Sequence, residues 1–150
     1  MRQDDTGIHL ETSIGYLLKE AASALRASME AVLRPLGMTV THYSCLELLA
    51  QRPGLSNSEL ARGTFVTRQS MNVLLQALER DGFVARATEP SVGKALPTQL
   101  TDRGRQSLAQ ASAAIRGVEQ RMLDGLTEEQ QADARRILRS MVTSLRSQAT

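Results

Sequence analysis

Along the chain, stretches whose apolar residues recur every three or four positions alternate with short breaks rich in glycine, proline and hydroxyl residues. From about Thr12 to Leu33, the residues Ile14, Leu18, Ala21, Leu25, Met29 and Val32 fall on one side of a helix. Arg34-Pro35-Leu36-Gly37 ends it, because proline cannot donate and glycine suits the turn. A second helix, Val40 to Ala50, follows Thr39 as its N-cap and turns His42, Cys45, Leu46 and Leu49 inward. Ser56-Asn57-Ser58-Glu59 is a capping box that opens a short helix to about Arg62. Gly63-Thr64-Phe65-Val66 reads as a turn, after which Thr67 caps a helix running to about Arg80. Its stripe of Met71, Leu74, Leu75 and Leu78, at i, i+3, i+4 and i+7, is the clearest in the sequence.

Past Asp81-Gly82 the period changes. Phe83 to Thr88 reads as a strand and Ala95 to Leu100 as its return, with turn residues from Glu89 to Lys94 between them. Pro97 has no N–H, which makes the return strand an edge. A fifth helix follows Thr101 and continues to about Leu123, aligning Leu108, Ala111, Ile115, Val118 and Met122. Asp124-Gly125 breaks it, and Thr127-Glu128-Glu129-Gln130 is a second capping box. The last helix carries Ile137, Leu138, Met141, Val142 and Leu145 on one face. The expected class is mainly α: a winged helix-turn-helix with long N- and C-terminal helices that form a dimerisation region.

The order of elements gives the fourth helix a role. With its stripe inward, Gln69, Asn72, Val73 and Gln76 are left on the opposite face, and Arg68 and Ser70 stand in the first turn. Gln and Asn pair with adenine, Arg with guanine, and Val touches a thymine methyl. The hydroxyls of Thr67 and Ser70 and the helix N-terminus suit phosphate oxygens. Ser56, at the start of the preceding helix, and Lys94, at the hairpin tip, complete the DNA-facing set. Any surface helix shows such side chains. It is the helix pair before this one and the basic hairpin after it that turn the balance toward duplex DNA.

Charge adds modest support. The net charge is +2, but residues 51–105 hold eight basic side chains against five acids. Hydrophobic residues make up 41% and charged residues 23%, an ordinary globular composition. The N-terminus lacks the apolar core of a signal peptide and no stretch is long enough to span a bilayer, so a cytoplasmic protein without membrane attachment is expected. A single cysteine excludes an internal disulfide, and two histidines without a nearby thiol or carboxylate pair leave no metal site. No phosphate loop, nucleophile elbow or acid pair tied to a histidine points to an enzyme or a cofactor. Two Phe, two Tyr and no Trp argue against a stacking platform for single strands.

Four segments in order resemble the MarR regulators of bacteria: Leu33 to Thr39, Ser58 to Ala61, Leu78 to Arg86 and Leu100 to Gly104. The resemblance runs from Thr12 to Leu145. It implies one domain, with residues 9–36 and 101–150 as dimerisation helices and 37–100 as the DNA-binding lobe. It also implies a cytoplasmic repressor released from DNA by a small aromatic or phenolic effector. The family's wing tip carries an Asp-x-Arg, and Val92-Gly93-Lys94 stands there instead. Lysine is a point charge without a planar fork, so looser wing contacts are expected. Self-association is also expected on physical grounds, because a 22-residue helix spans ~33 Å and the long stripes need more surface than a small winged domain offers. Two recognition helices about one turn apart call for a near-palindromic operator. Around the junction of lobe and dimer helices, Tyr16, Met38, His42, Tyr43 and Arg86 are the candidates for the effector, although His42 and Tyr43 suit a core equally and Arg86 an ion pair. Two other readings stay open: a helical dimer whose winged domain binds a protein, and a redox-responsive regulator based on Cys45. The second is weakened by the apolar stripe on which Cys45 lies.

Overall fold

A computed structural model describes residues 7–86 and 97–147. The expected helices are present: α1 (Ile14–Leu33), α2 (Val40–Gln51), α3 (Asn57–Thr64), α4 (Arg68–Arg80), α5 (Asp102–Leu123) and α6 (Glu128–Ser147). A 3-10 turn, Arg34–Leu36, joins α1 to α2. Strands β1 (Val84–Arg86) and β2 (Thr98–Leu100) pair antiparallel, with Val84 opposite Leu100 and Arg86 opposite Thr98. The expected strand residues Ala87, Thr88, Ala95 and Leu96, like Lys94 and the whole tip, lie outside the described residues. Among the described residues no helix is long and apolar enough to cross a membrane.

Local chemistry places the helix ends. Ser13, Thr39, Ser56 and Thr67 each accept a backbone N–H of the first turn of the helix they cap. Both capping boxes form, since Glu59 reaches the Ser56 amide and the Gln130 side chain accepts from the Thr127 amide at 2.9 Å. One expectation needs correcting. Gly63 and Thr64 belong to α3, not to the turn after it, and Phe65 takes the left-handed C-cap. Gly63 sits where α3 lies close against α2, since a Cβ there would stand 2.6 Å from Cδ1 at the end of the Leu48 side chain. Thr64 then closes the helix through its hydroxyl, which donates to the Leu60 carbonyl at 2.7 Å.

Two compact units divide the chain, Met1–Arg116 and Gly117–Thr150. The first holds a continuous core in which Leu33, Leu46, Leu60, Met71 and Leu78 are fully buried. The hairpin contributes Val84 and Leu100 to that core. Along α1 the stripe is buried only toward its C-terminal end: Leu25, Met29 and Val32 are half-buried, whereas Ile14, Leu18 and Ala21 are exposed. In the second unit Val118 is buried, but Met122, expected on the same inward line, is 49% exposed. Ile137, Leu138, Val142 and Leu145 of α6 are also exposed.

Candidate nucleic-acid interface

The fourth helix is oriented by what it buries. Met71, Leu75 and Leu78 are 0%, 5% and 2% exposed, and Val66, the residue before the N-cap, packs on the same core. Gln69, Asn72, Val73 and Gln76 are consequently all exposed, on the edge that the spacing assigns to them. Thr67 accepts the Ser70 amide at 3.0 Å and donates its own hydroxyl to Ser70 Oγ at 2.9 Å. That pairing uses the Thr67 proton and leaves the Ser70 hydroxyl proton for an outside acceptor.

One positioning residue escaped the sequence reading. Asn57, the first residue of α3, donates its side-chain amide to Asn72 Oδ1 at 2.7 Å. The bond ties the two helices at the exposed edge and occupies one lone pair of Asn72 Oδ1. One oxygen lone pair of Asn72 remains, so an adenine edge can still be read bidentately. The partners are fifteen residues apart on different helices, and no short-range spacing signals the contact.

Ser56, Asn57, Arg68, Arg86 and Thr98 line a single cleft between the start of α3 and the base of the hairpin. Arg86, one of the effector candidates, is thus placed beside Ser56 and Arg68, two residues expected to face DNA. Its Nε lies 3.8 Å from Glu79 Oε2, with both side chains about half exposed. Such a pair contributes little to stability and competes poorly with a phosphate.

The remaining effector candidates are not brought together within one chain. Met38 is buried in the core, and Tyr43 is half-buried against it. His42 meets Phe83 edge to face at 5.1 Å, while the Arg103 guanidinium lies over the Phe83 ring, 4.8 Å from its centroid. The three side chains fasten the hairpin base between α2 and α5. Nε2 of His42 is buried and makes no hydrogen bond among the described residues. Burial lowers the His42 pKa, and Asp81 opposes the shift only in part. Tyr16 is exposed near the other end of α1, seventeen residues before Leu33, which is about 25 Å along the helix. Cys45 is fully buried with its Sγ 3.9 Å from Met71 Sδ, and burial pushes its thiol up to about 12. A thiol so protonated is a poor redox sensor.

A helix pair joined by a tight turn, an exposed polar edge on the second helix and an antiparallel hairpin behind it define a winged helix-turn-helix of the DNA-binding class. The comparisons agree. A family model described as MarR family matches residues 36–95. The HTH-type transcriptional repressor Rv2887 of Mycobacterium tuberculosis is 42% identical over 135 residues, covering 90% of this chain and 97% of the relative. Solved structures of that protein superpose with a TM-score of 0.72 in complex with salicylic acid and 0.70 in complex with DNA. These alignments are 43% and 40% identical and cover 87% of this chain, with 96% and 98% of the other. A MarR-family regulator from Silicibacter pomeroyi, 22% identical, shares the fold at a TM-score of 0.82 over 95% of this chain and 96% of its own. The chain belongs to the MarR family.

Proposed function

We propose that this protein is a homodimeric transcription repressor that binds a near-palindromic duplex through α4 and lets go when a small aromatic acid binds. The observation that carries the reading is the split of α4 into a buried apolar stripe and an exposed Gln69, Asn72, Val73 and Gln76 edge. Relatives support it: the similar mycobacterial protein is named a transcriptional repressor and has been solved with DNA and with salicylic acid. Dimerisation is supported by the apolar side chains that Ile14, Leu18, Ile137, Leu138 and Leu145 leave in solvent, since a second copy supplies the surface one chain lacks.

In this reading Thr67, Ser70, Ser56, Arg68 and Arg86 hold phosphates and fix the register, while the outer edge of α4 reads bases. Lys94 belongs to the wing contact. An effector acts by favouring a spacing of the two recognition helices that no longer fits one DNA turn. The test begins by selecting duplexes from a random pool with the full-length protein and sequencing those retained. Gln69→Ala, Asn72→Ala and Gln76→Ala should each lose about 1–3 kcal/mol of binding at particular base positions. Salicylate, added as a probe, should weaken wild-type binding. Wild-type affinity in all three variants would place the reading edge elsewhere. Failure to enrich any sequence would instead favour a protein partner for the winged lobe.

A further inference from the structure

Phe65 ends α3 with φ 62, and among the described residues no other residue but glycine has a positive φ. It is 86% exposed, more than any other large apolar side chain described. The two facts are independent and point the same way. The turn is closed by the Phe65 backbone N–H, which donates to the Arg62 carbonyl at 3.3 Å, a bond glycine makes with less strain. The ring adds nothing to the core, because the next residue, Val66, is the one that turns inward. The fold therefore gains neither conformation nor packing from a phenylalanine here. Strain of this kind, kept with an exposed side chain, marks a contact made outside the chain.

The surroundings identify the other side of that contact. Phe65 stands two residues before the α4 N-cap, at the same end as the exposed Thr67, Arg68, Gln69 and Ser70. A surface for a second copy continues from one apolar side chain to the next, as Ile137, Leu138, Val142 and Leu145 do on α6. The exposed polar side chains next to Phe65 in sequence, Arg62, Thr67, Arg68, Gln69 and Ser70, are hydroxyl, amide and guanidinium groups. A mostly polar partner with isolated apolar spots fits, and the edge of a duplex has that character.

We propose that Phe65 is a DNA-contacting residue whose ring packs on an apolar part of the duplex at the lip of the major groove, a deoxyribose face or a thymine methyl. The proposal rests on the reading of α4 as the recognition helix. Because the ring is uncharged it releases no counterions, so its loss lowers affinity without changing the salt slope.

Phe65→Gly and Phe65→Ala are compared with wild type as full-length proteins on the selected duplex. Melting temperature, sedimentation and affinity over a salt series are read in parallel. Expected for Phe65→Gly is a melting temperature at or above wild type, an unchanged dimer, and affinity weaker by roughly tenfold to a hundredfold at constant slope. Phe65→Ala should lose as much affinity. Duplexes with deoxyuridine in place of thymidine then locate the ring. One sensitive position in wild type that is silent in Phe65→Ala indicates a methyl; no such position, with the affinity loss intact, indicates deoxyribose. Wild-type affinity in Phe65→Gly overturns the proposal. So does a melting temperature several degrees lower or a dissociated dimer, since either assigns the ring to the protein itself. A wild-type protein that selects no duplex sinks the α4 reading first, and this inference with it.

Discussion

Replacing Gly104 with alanine tests how the wing is fixed to the helix behind it. Thr101 makes the joint. Its amide donates to the Phe83 carbonyl at 3.1 Å, its hydroxyl donates to the Gly82 carbonyl at 2.6 Å, and the same oxygen accepts the Gly104 amide at 3.0 Å. A Cβ on Gly104 would stand 2.1 Å from the Phe83 oxygen, 3.1 Å from its carbonyl carbon and 3.4 Å from Leu100 Cδ2. The nearest atom is backbone, held in a hydrogen bond, and cannot rotate away as a side-chain terminus can. Ordinary contact needs a shift of more than about 1 Å between the start of α5 and the hairpin base. Such a shift breaks the two bonds that Thr101 donates to Gly82 and Phe83, at about 1 kcal/mol each, and adds an overpacking cost of about 1–3 kcal/mol. The better helix propensity of alanine returns at most about 1 kcal/mol. The net expectation is a destabilisation of roughly 2–4 kcal/mol, or a fall in Tm on the order of 10 °C for a chain of this size. Thermal and urea unfolding at one fixed protein concentration measure it. Gly117→Ala supplies the contrast, because nothing lies within 4 Å of the added carbon there and α5 gains propensity. It should match or exceed wild type. If Gly104→Ala also melts at or above wild type, propensity outweighs the clash and the account of the joint is wrong.

Two further expectations concern buried groups of the same lobe. The His42 ring, whose pKa burial lowers from the ordinary 6.5, binds a proton more readily in the unfolded chain than in the folded one. Its contribution is therefore complete above pH 6.5 and is lost as the pH falls from there toward the depressed folded value. His42→Leu should flatten the dependence of Tm on pH between 7.5 and 5, about those limits; an unchanged slope would remove His42 from the acid response. Cys45, buried and with its thiol pushed up to about 12, should resist iodoacetamide in the native protein and react at the rate of global unfolding. Labelling of the native state at the speed of a free thiol would show an opening of α2 that the packing does not provide.

What the sequence made legible is what depends on nearest neighbours along the chain. Thr39, Ser56, Thr67 and Thr127 are caps because a hydroxyl three residues ahead of an amide can reach it in any protein. The α4 stripe was legible because four apolar residues at helical spacing leave little choice of face. Other features depend on what arrives from far along the chain. Leu48 comes close against Gly63, which is helical, and the turn falls at Phe65. Asn57 reaches Asn72 only because α3 and α4 cross, and Arg86 enters the cleft of Ser56 and Arg68 because the hairpin folds back beside α3. Each brings together residues fifteen or more positions apart, and periodicity carries no information at that range.

The terminal helices show the deeper limit of the same rule. By spacing, α6 is as amphipathic as α4, and the sequence treats Ile137, Leu138 and Val142 like Met71, Leu75 and Leu78. Yet the first three are 42%, 45% and 45% exposed, and the second three are buried. Periodicity states that a face is to be covered; it does not state that the cover lies in the same chain. For α4 the cover is local, since α2, α3 and the hairpin close over it within one lobe. For α6 the uncovered side chains lie i, i+1, i+5 and i+8 along one strip ending at Leu145, which is 76% exposed. Leaving such a strip in water forfeits about 25 cal/mol for each Å² that a partner would cover. Under the proposed function, a repressor that reads two half-sites needs two copies held at a set distance, so the strip left bare in one chain and the edge left bare on α4 would answer the same requirement.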